Sequence, residues 1–381
     1  MKPRILLIDD EANQGWKETV EKVFFNGDEI DAAITKEEAV AALDRTHYDL
    51  IFLDLRFGEN DHQVKHLEKF QGYEILTSEI RGGFDKVNFT TPVILFTASN
   101  KIWNIHGMLE AGADDFYIKE HPDQATDIEF SRQNFIRLTK QIPSLIALGV
   151  KRQQLLTQVN EIIALIATEI YNQNIRERIA QKLKIGFTTL FHRHSAFEQQ
   201  QFAFSQELMA YICFWSILEE ITKDGFQDNW IKSGANEGEM AGGNWRLRNG
   251  EPFIENLTYT NSGVLTGHYQ IELIYDAGAY KKQQRFLALN DPELGHYQKK
   301  IGLPLQVYAQ VILGKNWSAS KAKTKFHPLV QFRNQVDFIH SSVGAIFNKN
   351  LNDVQDKTNA FNHCVKMLDF IKELLASPWT S

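Results

Sequence analysis

Four short apolar runs within the first 120 residues constrain the fold of this chain more than any other feature. Each run consists almost entirely of apolar residues, and a chemically distinctive polar residue stands at its end. The runs are 5–8, 49–53, 92–96 and 116–118, with amphipathic stretches such as 36–43 and 102–109 between them. Strands that are apolar on both faces are typical of a parallel sheet covered by helices. The sequence therefore predicts a βα repeat and a doubly wound, five-stranded parallel sheet.

The polar residues at the run ends are Asp9, Asp10, Asp54, Thr97 and Lys119. Because the carboxyl ends of the strands line one crevice in such a sheet, we expect these side chains to converge there. Three clustered carboxylates repel one another unless a hard cation lies among them, and Mg²⁺ suits oxygen ligands of this kind. Asp54 could then accept a phosphoryl group, with Thr97 donating a hydrogen bond to it and Lys119 supplying the opposing charge. A single Asp after a strand is more often merely solvated, so the hypothesis depends on the whole set.

These residues occur in segments that resemble the signature stretches of response-regulator receiver domains. The segments are 5–11, 53–55, 96–98 and 112–119, and the resemblance covers about residues 1–145. It implies a two-component response regulator whose partner is a sensor histidine kinase or a phosphotransfer protein. By that resemblance Asp54 is the phosphoacceptor, and Asp10 and Asp54 bind Mg²⁺ together with the backbone carbonyl of Arg56, with Asp9 in the same acidic set. Phe116 would be an aromatic side chain that follows Thr97 on phosphorylation.

The sequence departs from the receiver pattern at two places. Lys119 is followed by Glu120, where these domains usually have proline, and Pro122 comes only later. A long charged loop, 57–71, separates Asp54 from the segment 72–76, which resembles the next helix of the family. His62 and His66 in this loop have a spacing that could place a metal-binding pair on one helical face, although such pairs are more often simply solvated.

Residues 146–381 are predicted to form a mainly α-helical effector domain. The helix-like segments, counted from just before this boundary, are roughly 130–148, 153–170, 175–187, 206–223, 328–348 and 354–375. Between about 229 and 290 the composition changes to glycine, asparagine and aromatic residues, which predicts a small β-rich insertion. Asn249-Gly250 predicts a two-residue hairpin turn there, and the alternation from Tyr269 to Tyr275 predicts a half-buried strand.

One helix-like segment of the effector half carries a candidate catalytic set. Its apolar stripe has helical spacing and comprises Leu329, Phe332, Val336, Ile339, Val343 and Ile346. Arg333 and His340 are seven residues apart and therefore share a face beside that stripe. A histidine can move a proton near neutral pH and an arginine can stabilise phosphate charge, so the pair could act on a phosphodiester. The simpler interpretation is a polar flank on an amphipathic helix.

Arg333-Asn334 followed by His340, late in a helical domain, resembles the HEPN superfamily over about residues 326–375. Many members are metal-independent ribonucleases whose active sites form between two facing helices of a dimer. The resemblance implies that Arg333, Asn334 and His340 are catalytic, that RNA is the substrate and that the protein is a homodimer. Two alternatives stay open: a non-enzymatic module in which phosphorylation switches dimerisation or partner binding, and a nucleotide or small-ligand sensor built on the β insertion.

Composition restricts the setting in which such a protein could work. No apolar stretch is long enough for a membrane span, and the N-terminus does not have the pattern of a signal peptide. The only two cysteines, Cys213 and Cys364, fit a reducing cytoplasm better than a disulfide framework. The sequence therefore predicts a cytoplasmic protein with no membrane partner. The first 149 residues are acidic and the remainder is mildly basic, which by itself is weak evidence for nucleic-acid binding.

Overall fold

The computed structural model describes most of the first 224 residues and smaller parts of the rest. The described residues are 2–58, 66–98, 101–119, 128–191, 196–224 and 357–376, short strands between 245 and 271, and seven single residues between 305 and 332. The chain forms two compact units: the first comprises Met1–Thr157 with Phe191–Ala203, and the second comprises Gln158–Leu190 with Phe204–Ser381. Among the helices described, none combines the length and apolar character that a membrane crossing requires.

The first unit is built on a five-stranded parallel sheet with the order β2-β1-β3-β4-β5. The strands are β1 Ile5–Ile8, β2 Asp31–Ala33, β3 Leu50–Leu53, β4 Val93–Thr97 and β5 Asp115–Ile118. The helices that alternate with them are α1 Trp16–Phe24, α2 Lys36–Arg45, α3 Gln71–Glu74, α4 Ile102–Glu110 and α5 Ile128–Glu169. Every residue of β1, β3 and β4 is buried, because a hydrophobic core lies on each face of the sheet. The predicted doubly wound, five-stranded parallel sheet is confirmed.

The edge strand β2 is the one strand of the five-stranded sheet that has no apolar run in the sequence. Asp31-Ala32-Ala33 has a low intrinsic preference for extended structure. It is extended because its backbone pairs with β1, where Leu6 lies opposite Asp31 and Ile8 lies opposite Ala33. Tertiary pairing therefore determines this strand.

The helix that follows the 57–71 loop packs closely against the end of β3 at a glycine, Gly72. After a 3₁₀ turn at Leu67–Lys69, α3 continues into a π-helical turn at Ile75–Ile80. A Cβ on Gly72 would lie 2.1 Å from the backbone oxygen of Asp54, so only glycine allows this approach. The helix predicted at 72–76 is therefore present and packs directly against the backbone of Asp54. His62 lies outside the described residues and His66 is exposed, so the proposed histidine pair stays a prediction.

The helix α5 is a single element of 42 residues, Ile128–Glu169. The sequence had indicated two helices, 130–148 and 153–170, and this division is wrong. Gly149, which lies between the two predicted segments, is helical and lets the helix approach the sheet closely. A Cβ at Gly149 would lie 2.6 Å from Cδ of Pro92. Leu138, Ile142 and Leu145 of α5 lie in one of the two cores of the first unit.

The second unit is helical in most of its described residues and contains most of α6 Gln173–Phe191, most of α7 Ala196–Asp224, and α8 Lys357–Leu375. Ile175, Ile179 and Leu183 bury one face of α6 at a spacing of four. The carboxylate of Asp224 accepts hydrogen bonds from the backbone N–H groups of Tyr171 and Asn172, at 3.0 and 2.7 Å, and so holds the start of α6 against the end of α7. The predicted helical character of this half is confirmed for the described residues.

Part of the predicted β insertion is also present. Strand β6, Trp245–Arg246, pairs antiparallel with β7, Pro252–Ile254, on either side of the predicted Asn249-Gly250 turn, which itself lies outside the described residues. Strands β8 Thr258–Thr260, β9 Gly263–Leu265 and β10 Gln270–Ile271 form a second small antiparallel sheet. Of the strand predicted from Tyr269 to Tyr275, the structure describes Gln270 and Ile271.

Candidate functional site

Three carboxylates meet at the carboxyl edge of the parallel sheet. Asp9 and Asp10 follow β1, and Asp54 follows β3. β1 and β3 are neighbours with Ile8 opposite Leu53, so the residues that come next emerge side by side. One carboxylate oxygen from each of the three lies within 4.8 Å of the other two. Asp9 and Asp54 are buried and Asp10 is partly buried. The predicted convergence of these three side chains is therefore present in the structure.

Lys119, at the end of β5, bridges two of these carboxylates. Its Nζ donates hydrogen bonds to Oδ2 of Asp9 at 2.7 Å and to Oδ2 of Asp54 at 2.6 Å. The other oxygens of the same carboxylates accept backbone N–H groups, from Glu11 to Asp9 at 3.0 Å and from Arg56 to Asp54 at 3.2 Å. Both carboxylates are thus held in fixed orientations from two sides.

The electrostatics of this cluster favour a further cation. Burial raises the pKa of Asp9 to about 6 and the charge of Asp54 adds to the effect, while Lys119 opposes it. The pKa of Asp10 is also raised, first by burial and then by the charge of Asp54. Burial alone would lower the pKa of Lys119, but the two carboxylates that it contacts raise it. One ammonium faces three carboxylates, so the residues fit an ion such as Mg²⁺, which prefers carboxylate and carbonyl oxygen ligands.

Thr97 is the last residue of β4, and Phe116 lies on β5, the strand beside β4 that ends just before Lys119. Thr97 is buried at the end of β4, between β3 and β5, and its backbone oxygen accepts a hydrogen bond from the N–H of Lys119 at 2.8 Å. Phe116 lies on β5, opposite Leu95 of β4. The guanidinium of Arg137 on α5 lies 5.0 Å from the centre of its ring and donates hydrogen bonds to the backbone oxygen of Phe116 and to Oδ1 of Asp115. Arg137 of α5 therefore contacts both the ring and the backbone of Phe116.

Two aromatic residues at the site were missed from the sequence. The ammonium of Lys119 lies 5.2 Å from the centre of the Phe96 ring and 5.5 Å from that of Trp16. Phe96 ends one of the predicted apolar runs and begins the receiver-like segment 96–98, but neither assignment gave it a role at the site, and Trp16 is the first residue of α1. Their relation to Lys119 arises only when folding brings the start of α1 and the ends of β4 and β5 together.

The comparisons with known proteins bear on this part of the chain. No protein-family model matches the sequence, and the comparison with curated proteins gives no match. Solved structures similar to the N-terminal third include a CheY-like response regulator receiver domain protein from Methanospirillum hungatei, with 19% identity over 38% of this chain and 97% of that chain, at a TM-score of 0.28. A response regulator from Thermotoga maritima has 19% identity over 39% and 99%, at a TM-score of 0.28. A two-component response regulator from Clostridium difficile has 27% identity over 35% and 96%, at a TM-score of 0.25.

The strand order gives the fold independently of these scores. β2-β1-β3-β4-β5 is the doubly wound order shared by flavodoxin and CheY. The first unit therefore has the flavodoxin-like, doubly wound fold that CheY also has. In folds of this order the ligand site lies outside the carboxyl ends of the strands, which is where Asp9, Asp54 and Lys119 lie.

The candidate catalytic residues of the effector half are a different case. Arg333, Asn334 and His340 lie outside the described residues. Of the apolar stripe, Leu329 and Phe332 are described, and both are buried in the second unit. The hydroxyl of Tyr211 on α7 donates to the backbone oxygen of Leu329 at 2.6 Å, and the Phe332 ring stacks on His363 of α8 at 4.0 Å. The beginning of the stripe therefore packs between α7 and α8.

Proposed function

We propose that this chain is a two-component response regulator that is phosphorylated on Asp54. The observation that carries the proposal is the position of the Lys119 ammonium, which bridges Asp9 and Asp54 beside Asp10 at the carboxyl edge of a receiver-type sheet. The phosphoryl donor would be a phosphohistidine of a sensor histidine kinase or of a phosphotransfer protein.

The chemistry follows from the groups at the site. A carboxylate oxygen of Asp54 forms a bond to phosphorus while the bond from phosphorus to the imidazole nitrogen of the donor breaks, and the imidazole leaves with the electron pair. The Lys119 ammonium then pairs with a phosphoryl oxygen, and the Thr97 hydroxyl donates a hydrogen bond to another. Asp9, Asp10, Asp54 and the backbone carbonyl of Arg56 would hold Mg²⁺, which would supply positive charge to neutralise the phosphoryl oxygens.

A phosphorylation assay of the full chain tests this proposal. With acetyl phosphate and Mg²⁺ we expect one phosphate per chain, which hydroxylamine removes because an acyl phosphate is reactive toward that nucleophile. EDTA should prevent the modification. The measurement is the intact mass of the protein before and after hydroxylamine. A wild-type chain that stays unmodified with acetyl phosphate and with phosphoramidate would contradict the proposal.

For the effector half, we propose an RNA-cleaving activity of the HEPN type. His340 would act as general acid–base, Arg333 would hold the phosphate, and Asn334 would complete the set. Attack by the ribose 2′-hydroxyl on the adjacent phosphate forms a cyclic phosphate and releases the 5′-hydroxyl of the next nucleotide, so no metal is needed. The burial of Leu329 and Phe332 supports the helical face that this arrangement requires.

The ribonuclease proposal predicts a large effect of one substitution. In EDTA, His340→Ala should reduce the rate of RNA cleavage by about 10²–10⁴-fold, because general acid–base catalysis contributes about that much. His47→Ala is the matched control, since His47 is an exposed histidine of the first unit and should leave cleavage unchanged. If His340→Ala cuts RNA as fast as the wild type, or no RNA is cut with or without a beryllofluoride mimic of the phosphate, the activity is excluded.

A binding module controlled by dimerisation is the second candidate for the whole chain. At the start of α4, Ile102 is 75% exposed and Trp103 is 66% exposed. Two large apolar side chains exposed side by side favour a contact with another protein surface. We propose a homodimer whose stability or geometry depends on Asp54. Light scattering with and without beryllofluoride checks this, and a monomer at all concentrations in both states would count against it.

A further inference from the structure

The ammonium of Lys119 has carboxylates on one side and aromatic rings on another. It contacts Asp9 and Asp54 at hydrogen-bond distance, and it lies over the rings of Phe96 and Trp16 at 5.2 and 5.5 Å. The Lys119 side chain is 3% exposed, so protein groups replace nearly all of the water that an ammonium normally binds. An aromatic face within about 6 Å attracts a cation electrostatically, and the attraction is stronger where water is excluded.

The rings of Trp16 and Phe96 lie nearly perpendicular to each other. Their centroids are 5.3 Å apart and the angle between their planes is 87°. Phe96 is fully buried in β4 and is fixed further by Tyr117, which stacks on it at 5.3 Å, and by Phe52, whose ring meets it edge-on at 5.6 Å. Trp16 is only partly buried and begins α1, directly after Gly15, whose φ of 107° turns the chain into the helix. Phe96 is thus a core residue, whereas Trp16 packs against the edge of that core and keeps part of its surface exposed.

A lysine needs such a support for the reaction proposed above. Its four-carbon chain is flexible and carries a point charge, so the carboxylates alone do not fix where the ammonium lies when one of them changes. When Asp54 becomes an acyl phosphate, the group that Lys119 contacts becomes larger, and its negative charge lies farther from the end of β3. The rings of Phe96 and Trp16 do not change during this step, so they are contacts of the ammonium that stay the same.

We propose that Trp16 is a positioning residue for phosphoryl transfer to Asp54, whose ring face, together with that of Phe96, holds the Lys119 ammonium in place for the incoming phosphoryl group. This inference rests on the proposed function. It assigns to Trp16 an electrostatic role that goes beyond filling space at the start of α1.

Substitution of Trp16 gives the first test. With acetyl phosphate and saturating Mg²⁺, Trp16→Leu should phosphorylate about 3- to 30-fold more slowly than the wild type, which corresponds to the loss of one partly desolvated cation–π contact. Trp16→Phe keeps an aromatic face and should restore part of the rate. A Trp16→Leu protein that is modified at the wild-type rate would overturn the inference.

Fluorinated tryptophan at position 16 separates electrostatics from packing. Successive fluorine atoms weaken the negative face of the indole while its shape hardly changes, so the fold is retained and the rate should fall stepwise with the number of fluorines. The same residues at position 215, a buried tryptophan of the second unit, are the control and should leave the rate unchanged. A flat series at position 16 would show that Trp16 only packs, even if Trp16→Leu is slow. A wild-type chain that is never phosphorylated would instead overturn the proposed function, and this inference with it.

Discussion

Asp54→Asn is expected to abolish phosphorylation of the chain by acetyl phosphate. An amide is neutral and its oxygen is a far weaker nucleophile toward phosphorus than a carboxylate oxygen, so no acyl phosphate should form. The fold should survive, because the substitution also removes a negative charge that faces Asp9 and Asp10. The measurement is the hydroxylamine-sensitive phosphate found by intact mass at equal protein concentrations.

Asp49→Asn is the matched control for this experiment. Asp49 immediately precedes β3 and Asp54 immediately follows it, so the two residues lie at opposite ends of one strand. Asp49 accepts a hydrogen bond from the backbone N–H of Arg4 at 2.7 Å and takes no part in the acidic cluster. Its substitution should leave phosphorylation unchanged. Equal modification of wild type and Asp54→Asn would show that the phosphoacceptor is another residue.

Asp114→Asn is expected to have the largest effect on stability, because Asp114 is the anion of a buried ionic cluster. Its Oδ1 accepts from Arg152 of α5 at 2.7 Å, and its Oδ2 accepts from Arg81 at 3.2 Å and from the backbone N–H of Val93 at 3.0 Å. Burial lowers the pKa of Arg81 to about 10, and the nearby charge of Arg152 acts in the same direction. Without the carboxylate, the buried guanidinium of Arg152 would face the partly buried guanidinium of Arg81. Removal of one partner from a buried ion pair costs about 3–5 kcal/mol.

Hydrogen exchange of the β4 amides measures this cost within the full chain. A loss of about 3–5 kcal/mol should raise their exchange rates by about two to three and a half orders of magnitude. Glu79→Gln is the control, because Glu79 pairs with Lys86 at 2.8 Å but both side chains are partly exposed. Exposed pairs contribute about 0–1 kcal/mol, so exchange in that variant should change by less than about tenfold. Unchanged exchange in Asp114→Asn would mean that the two arginines regain solvent or other partners.

The sequence predicts the sheet and its acidic edge well, because both depend on local signals. Every predicted apolar run became a strand, and Asp9, Asp10, Asp54, Thr97 and Lys119 stand at strand ends as expected. In a parallel sheet, the position of a residue just after a strand already determines the edge on which its side chain lies. That is why the site could be assembled from residues more than 100 positions apart.

The features that the sequence did not predict depend on contacts between distant segments. Strand β2 has no local preference for extended structure and exists because β1 offers it a free edge. Gly149 lies between the two helices predicted from the sequence, yet it is helical, and the close approach to Pro92 requires glycine there. Trp16 and Phe96 are ordinary core-like aromatic residues until Lys119 is brought to them from β5.

The continuity of α5 sets a rule for insertions and deletions within this helix. Because successive residues of an α-helix are rotated by about 100°, each residue added or removed within Ile128–Glu169 would turn the helical residues beyond the change by that angle. The face that carries Leu138, Ile142 and Leu145 would then no longer be in line with the face that follows the change. Length changes of seven residues restore the original phase to within about 20°, whereas a change of two residues turns the faces by about 200° relative to each other.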